Sequence, residues 1–224
     1  TLTPEGEDLL QRSLRIELEF SDLERHLSGQ DERLTGRIKI DTTDHLAGLL
    51  MDEFNAFTHL YPQIELQIAT NIEPVDIHKG EADMAIRISN SPPDNLHCIK
   101  VGQLAANIYA AKSFAEQADE KAPLETHGWI GWDESYAGGF TARFIENFLP
   151  DGARINCRVN SGTGLANALR AGLGISYMWC FAAENWPDIT RLIPDRPDYL
   201  MDIWMVMHQD LANNARIRVF SEFI

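Results

Sequence analysis

Two short stretches of the sequence combine hydroxyl, amide and carboxylate side chains where a predicted strand leads into a predicted helix. Their polar residues are Thr42, Thr43, Asp44, Asn160, Ser161 and Thr163. The first turn of a helix has backbone N–H groups without intrahelical partners, so such turns can hydrogen-bond the polar end of a small molecule. The same side chains can instead cap the helices. Both interpretations stay open, and the charge of Asp44 would oppose an anionic ligand unless it is turned away.

Further candidates lie at the ends of other predicted strands. They are Thr70, Asn71, Arg87, Trp132 and Asp133. Ligands of parallel sheets bind at the carboxyl edge, where such residues collect, so we group them with the two turns as a predicted binding site. Arg87 can alternatively be an ordinary ion-pair partner, and Trp132 can be a core residue rather than a stacking platform.

Most catalytic motifs are absent from the sequence. H-E-x-x-H, G-x-S-x-G and G-x-x-x-x-G-K-[ST] are all absent, and the seven His residues are scattered. We therefore predict no catalytic residue, no metal and no cofactor. The three cysteines form no C-x-x-C pair, which favours buried, inert thiols over a redox sensor and is typical of a protein of the reducing cytosol.

Composition excludes two broad classes of function for these residues. The sequence has 224 residues, of which 44% are hydrophobic and 24% charged, and no apolar run approaches the roughly 20 residues of a membrane helix. The net charge of −15 would repel the phosphates of a nucleic acid. A water-soluble globular protein that does not itself hold DNA is the expectation.

Apolar periodicity predicts an α/β fold in two halves. In the first half, strands at 37–40, 64–68 and 83–88 alternate with a helix that Thr43 or Asp44 caps and Pro62 stops, and with a short helix closed by Gly80. The order βαβαβ favours a parallel sheet.

The second half shows the same alternation of strands and helices. Its predicted elements are strands at 129–132, 154–159 and 174–178, helices at 140–148 and 164–171, one or two strands before a helix start at Ser113, an apolar strand at 200–210 and a terminal helix after 211–214. The segments 104–111 and 206–210 would join the halves. They can be two buried strands, a hinge between the halves, or both.

The first 27 residues predict a long amphipathic helix that Thr3 can cap. Its apolar stripe includes Leu9, Leu14, Ile16, Phe20, Leu23 and Leu27. A lone helix would leave this stripe in water, so we expect it to pack against a second copy of the chain. The polar segment 28–36 marks the boundary between this helix and the α/β halves.

Taken in order, several segments resemble the LysR-type transcriptional regulators. LTPEGEDLL is similar to the start of their linker helix, and four later segments, among them GEADMAIRIS and NSGTGLANALRAGLGISYM, look like successive parts of their effector-binding region. The resemblance implies two Rossmann-like subdomains of periplasmic-binding-protein type II architecture, preceded by a linker helix. It also implies a small-molecule effector in the cleft between them and homodimers or homotetramers.

The resemblance divides the chain into a linker helix at 1–33, subdomain I at 34–108 and 209–224, and subdomain II at 109–208. DNA would be bound only by a winged helix-turn-helix domain preceding Thr1. A solute-binding protein of a transport system has the same two-lobed fold and is the alternative. An enzyme on this fold is a third hypothesis.

Overall fold

The computed structural model describes residues 2–29, 32–71, 75–117, 122–133 and 149–224. The chain divides into two compact units. Unit 1 comprises residues 1–87, 92–99 and 204–224, and unit 2 comprises residues 88–91 and 100–203. The predicted helix at 140–148 lies outside the described residues.

The first helix, α1 (Pro4–Gly29), begins as predicted. The Thr3 hydroxyl accepts a hydrogen bond from the Gly6 N–H at 3.2 Å, which caps the helix. The helix contacts the short 3-10 turns Ile77–Lys79 and Leu211–Asn213 of unit 1.

Most of the predicted apolar stripe of α1 is exposed to solvent in the single chain. Its exposed members are Leu9, Leu14, Ile16, Phe20 and Leu23, with Ile16 67% and Phe20 60% accessible. The side chain of Leu27 lies outside the described part of the structure. An exposed row of large apolar side chains is typical of an interaction surface rather than of a free helix.

Unit 1 is built on a parallel sheet, as the βαβαβ order predicts. β1 (Gly36–Thr42) pairs with β2 (Ile64–Thr70) on one side and with β3 (Met84–Ile88) on the other. Ile38, Ile40 and Ile86 are at most 1% exposed. Burial of central strands on both faces is expected of parallel sheets and explains the apolar sequence of β3.

The helix predicted between β1 and β2 is two helices, α2 (Asp44–Leu49) and α3 (Met51–Leu60), separated at Leu50. The apolar faces of α2 and α3 both pack onto the sheet, so the apolar residues follow one continuous 3.6-residue period, and the sequence predicts a single helix.

The terminal helix α7 (Ala215–Phe223) returns to the same unit. There Phe57 and Phe220 meet edge to face, with ring centroids 4.9 Å apart and an interplanar angle of 78°.

Unit 2 contains a mixed arrangement of strands. The long strand β4 (His97–Ala111), which starts in unit 1, pairs antiparallel with β7 (Ser176–Trp179) and with β8 (Ile189–Arg191). β5 (Gly128–Trp132) pairs in parallel with β6 (Arg154–Val159), and a parallel bridge joins Trp129 to Ile175 just before β7.

Short helices and one long strand complete the described elements. They are α4 (Lys112–Ala115), a 3-10 turn at Leu124–Thr126, α5 (Gly162–Arg170), α6 (Cys180–Ala183) and β9 (Tyr199–Met207). The sequence pattern did not predict β8 or α6, because three or four residues are too few to show a period.

The close approach of Gly174 to β5 gives a testable prediction. A Cβ at position 174 would lie 2.4 Å from the carbonyl oxygen of Gly128. Gly174→Ala is therefore expected to lower the free energy of unfolding, measured by urea denaturation, by about 1–3 kcal/mol. Gly48→Ala is the control, because apart from its chain neighbours and the backbone of its own helix nothing lies within 4 Å of that Cβ. A Gly174→Ala protein as stable as the Gly48→Ala protein would contradict the prediction.

Candidate functional site

The strands of unit 1 end together at one edge of the sheet. Thr42 at the end of β1 is in register with Thr70 at the end of β2, and the Asn71 N–H donates to the Thr42 carbonyl at 3.0 Å. Arg87 lies one residue before the end of β3. This edge therefore brings together six of the predicted binding residues, which are Thr42, Thr43, Asp44, Thr70, Asn71 and Arg87.

The turn from β1 into α2 is fixed by its own hydroxyl groups. The buried Thr42 hydroxyl donates to the Ile86 carbonyl at 2.9 Å, and the Thr43 hydroxyl accepts from the Leu46 N–H at 3.4 Å. Of the two predicted caps, Thr43 and Asp44, Thr43 is the one that caps the helix. Asp44 is exposed, and its carboxylate accepts from the His45 N–H at 2.9 Å. Of these three side chains, the carboxylate of Asp44 is the one that faces solvent most openly.

A buried ion pair lies directly behind this turn. Arg87 Nε donates to Asp41 Oδ2 at 3.0 Å, a second guanidinium nitrogen of Arg87 also contacts Oδ2, and Nη1 donates to the Asn71 carbonyl at 2.8 Å. Asn71 Nδ2 donates to the other carboxylate oxygen, Asp41 Oδ1, at 2.7 Å. Asp41 thus connects the ends of three strands.

Asp41 is a residue that the sequence pattern alone did not single out. A signal was present, because a carboxylate directly after the apolar Ile38 and Ile40 in a central strand must be paired if it is buried. Arg87 is the matching cation in the apolar strand β3. The ion-pair interpretation of Arg87 is the one that these contacts support.

His45 adds no positive charge to this edge at neutral pH. It lies in the first turn of α2 and is half-buried. Burial lowers the pKa of His45 below the usual value for histidine, against the opposing influence of Asp44. The imidazole is therefore neutral near pH 7.

Unit 2 has a comparable edge where β5 and β6 end in parallel. Trp132 is in register with Val159, and the Asp133 N–H donates to the Val159 carbonyl at 2.9 Å. Arg158 Nη1 donates to the Trp132 carbonyl at 2.7 Å. The Trp132 side chain is buried, as the core interpretation expects.

The turn from β6 into α5 gathers the other predicted residues of unit 2. Ser161 caps α5 by accepting from the Gly164 N–H at 3.0 Å, while Asn160 and Thr163 on either side are exposed. This edge thus holds Trp132, Asp133, Asn160, Ser161 and Thr163. The predicted residues therefore fall into two groups, one at the strand ends of each unit.

The contribution of the Ser161 cap to stability can be tested by comparing Ser161→Ala with Thr163→Ala. Ser161→Ala is expected to lower the free energy of unfolding by about 0.5–2 kcal/mol, because the Gly164 N–H loses its acceptor. Thr163→Ala, in the first turn of the same helix, is expected to change it by less than about 0.5 kcal/mol. Urea denaturation of both variants measures the difference. Equal effects would show that the Ser161 hydroxyl is not a cap.

A second polar cluster of unit 2 lies near the carboxyl end of β7, where Asn107 is opposite Met178. Asn107, 1% exposed, donates to Asp198 Oδ1 at 2.8 Å, and Arg191 Nη1 lies 2.9 Å from the same oxygen. These hydrogen bonds, with that from Asn107 the largest cause, lower the pKa of Asp198. The sequence pattern did not predict the cluster, although an Asn within the apolar LAANIYAA was its signal.

Cys98 and Cys180 have the environment of unreactive thiols. None of the three forms a disulfide, and Cys180 is buried. Burial raises the pKa of Cys180, and nearby Asp198 raises it further. Burial and Asp94 raise the pKa of Cys98 in the same direction. Because the thiolate is the reactive form, these shifts disfavour oxidation at neutral pH.

Within the described ranges, no group of three or more His, Cys, Asp and Glu side chains is arranged to hold a metal ion. None of the described helices is both long and apolar enough to span a bilayer.

Comparison with known proteins identifies the type of chain. The LysR substrate binding domain profile matches residues 31–224. The uncharacterized HTH-type transcriptional regulator YhjC of Escherichia coli K12 is 25% identical over 237 residues, which cover 100% of this chain and 78% of YhjC.

Solved structures agree on the fold. Full-length AphB of Vibrio cholerae, described as a virulence activator of the LTTR family, superposes with a TM-score of 0.69 at 19% identity, covering 100% of this chain and 79% of AphB. The regulatory domain of CrgA, a LysR-type regulator from Neisseria meningitidis, also gives 0.69, at 21% identity, covering 84% of this chain and 97% of that domain. The predicted fold class, periplasmic-binding-protein type II α/β, is confirmed.

Proposed function

The chain belongs to the LysR substrate-binding domain family, and on that premise we propose that it senses a small-molecule effector for a LysR-type transcriptional regulator. The effector would bind at the carboxyl edges of the two units and would change how subunits are arranged. The single observation that supports this most is that both edges collect polar side chains where parallel strands end. Ligands of open α/β sheets bind at such edges.

The proposed effector contacts are the exposed polar groups of each edge. In unit 1 these are Asp44, Thr70 and Asn71, and in unit 2 they are Asn160 and Thr163. Thr42, Thr43, Arg87, Trp132, Asp133 and Ser161 complete the proposed site, mainly by shaping it. A ligand can shift the arrangement of the subunits only as far as its affinity differs between the two arrangements.

Screening the protein against a metabolite panel by thermal denaturation tests this function. A metabolite that binds the folded chain raises the midpoint temperature, and 100-fold excess over Kd adds about 2.7 kcal/mol of stability. For such a metabolite, Thr70→Ala at the unit 1 edge or Thr163→Ala at the unit 2 edge is expected to reduce the shift. Leu60→Asp, an exposed site on α3, is the control that should keep it. An unchanged shift in both edge variants would contradict the proposed site.

Oligomerisation through α1 is the second part of the proposal. The exposed apolar row of α1 would be covered by the same row of a second copy, in a homodimer or within a homotetramer. Each large apolar side chain so buried would contribute about 1.5–3 kcal/mol.

Sedimentation of Phe20→Asp tests that contact. The variant is expected to sediment as a smaller species than the wild-type protein, because a carboxylate is placed within the covered row. Leu60→Asp provides the matched control, since Phe20 and Leu60 are both 60% exposed. A Phe20→Asp protein with unchanged mass would exclude α1 as the contact.

DNA binding, in this proposal, belongs to a winged helix-turn-helix domain outside these 224 residues. The two regulators YhjC and AphB resemble this chain over its whole length, which favours a regulator in the cytoplasm over a solute-binding protein of a transport system. The family is one of regulators, which also favours regulation over enzymatic activity. The net charge of −15 agrees with DNA contacts being made elsewhere.

A further inference from the structure

The ion pair between Asp41 and Arg87 bears on the kind of effector that unit 1 can accept. We infer that Asp41 is a specificity-determining residue: by neutralising Arg87 it makes the unit 1 edge select an uncharged, hydrogen-bonding group of the effector and reject an anionic one. This inference rests on the proposed function, since it concerns the same effector edge.

The guanidinium of Arg87 is engaged by the protein itself. Two of its nitrogens contact Asp41 Oδ2, and Nη1 donates to the Asn71 carbonyl at 2.8 Å. The Asp41 side chain is 1% exposed and the Arg87 side chain 12% exposed. Both charges are therefore largely removed from water, and they compensate each other where they lie.

The carboxylate of Asp41 is engaged on both oxygens. Oδ2 accepts from Arg87, and Oδ1 accepts from Asn71 Nδ2 at 2.7 Å. A ligand anion that took the place of Asp41 on Arg87 would leave this carboxylate buried without its counter-charge, which is strongly unfavourable. A ligand cation would meet the converse difficulty at Asp41.

The other groups of the edge do not favour an anion. Asp44 is exposed and negative, and Arg87 is the single cationic side chain among the seven residues 41–44, 70, 71 and 87. His45 follows in α2, and burial lowers its pKa, so it is neutral near pH 7. Thr70 and Asn71 are exposed residues beside them, and Asn71 Nδ2 already donates to Asp41 Oδ1. These groups suit a neutral partner that both donates and accepts hydrogen bonds.

Asp41→Asn is the variant that tests the inference, with inorganic sulfate as the probe. The substitution keeps the shape of the side chain but removes the charge that neutralises Arg87. Sulfate is expected to bind the variant at least about tenfold more tightly than the wild-type protein, a difference of about 1.4 kcal/mol. Titration followed by NMR of the Arg87 Nε–H and the Asn71 amide measures this affinity at the edge itself.

Two variants control for charge and for the identity of the anion site. Asp83→Asn changes the net charge equally, but Asp83 lies just before β3, at the opposite end of that strand from Arg87, where its carboxylate accepts from the Lys39 N–H at 2.8 Å. It should bind sulfate as weakly as the wild-type protein. Asp41→Asn combined with Arg87→Gln should lose the binding that Asp41→Asn gains.

The wild-type titration decides between the outcomes even if Asp41→Asn does not fold. If Asp41→Asn folds, a wild-type protein that binds sulfate at Arg87 as tightly as this variant would overturn the inference. If the variant does not fold, saturation of the Arg87 signal in the wild-type protein at sulfate concentrations below about 1 mM would overturn it. Absence of such binding supports the inference. The proposed function fails by a different result. If an effector binds the protein but perturbs neither edge, the proposed sensing site is wrong, whereas the sulfate affinities of the wild-type protein and of Asp41→Asn stay the same.

Discussion

Replacing Asp41 with Ala is expected to lower the free energy of unfolding by about 3–5 kcal/mol, because it breaks a buried ion pair. The substitution leaves Arg87 partly buried without the carboxylate that faces it. It also removes the acceptor of Asn71 Nδ2, so the ends of all three strands lose their common partner. Urea denaturation followed by circular dichroism measures the change.

Two further variants separate this loss from other causes. Asp202→Ala breaks an ion pair with Lys100 whose side chains are 24% and 44% exposed, and is expected to cost at most about 1 kcal/mol. Asp41→Leu combined with Arg87→Met replaces both charges by apolar groups and is expected to recover most of the stability, as such replacements of buried pairs often do. An Asp41→Ala protein within about 1 kcal/mol of wild type would show that the pair is not buried as described.

Phe220→Ala is the second large effect, with an expected loss of about 3–5 kcal/mol. The ring of Phe220 is fully buried, 4.9 Å from Phe57 and 6.0 Å from Phe54 between ring centroids. Truncation would leave a cavity between α3 and α7 that these rigid rings cannot fill. Because α7 follows the return of the chain from unit 2, this contact fastens the C-terminal segment to unit 1.

Phe223→Ala is the matched control on the same helix. Phe223 also approaches Phe57, at 5.5 Å between ring centroids, but it is only partly buried. Its loss should therefore cost distinctly less than that of Phe220. Thermal and urea denaturation of the two variants side by side measure the difference, and equal losses would contradict the described packing of α7.

Helix caps, helix ends and one strand of this fold can be predicted from neighbouring residues in the sequence. Thr43 and Ser161 lie three residues before the N–H groups that they cap, and Gly80 and Gly172 adopt left-handed φ values of 70° and 73° after their helices. The alternation of Ile64, Leu66 and Ile68 likewise marks β2. Such features depend on neighbouring residues and can be recognised in a single sequence.

Which side chains of the unit 1 edge are paired depends instead on contacts between residues that are distant in the sequence. Arg87 and Asp41 are 46 positions apart, and periodicity does not indicate whether a charged residue near a strand end faces solvent or a partner. For the same reason Thr42 was predicted as an available hydroxyl, whereas it is buried and donates to Ile86. The sequence therefore located the edge, and the structure determined which of its groups are engaged.

A crystal structure of the protein with the metabolite that stabilises it most is the most direct test of the proposed effector function. We predict ligand density in contact with residues 42–44 and 70–71 of unit 1 or with residues 160–163 of unit 2, while the contact between Arg87 and Asp41 stays intact. Density bound only at other surfaces, with both strand edges empty, would contradict the proposed sensing site.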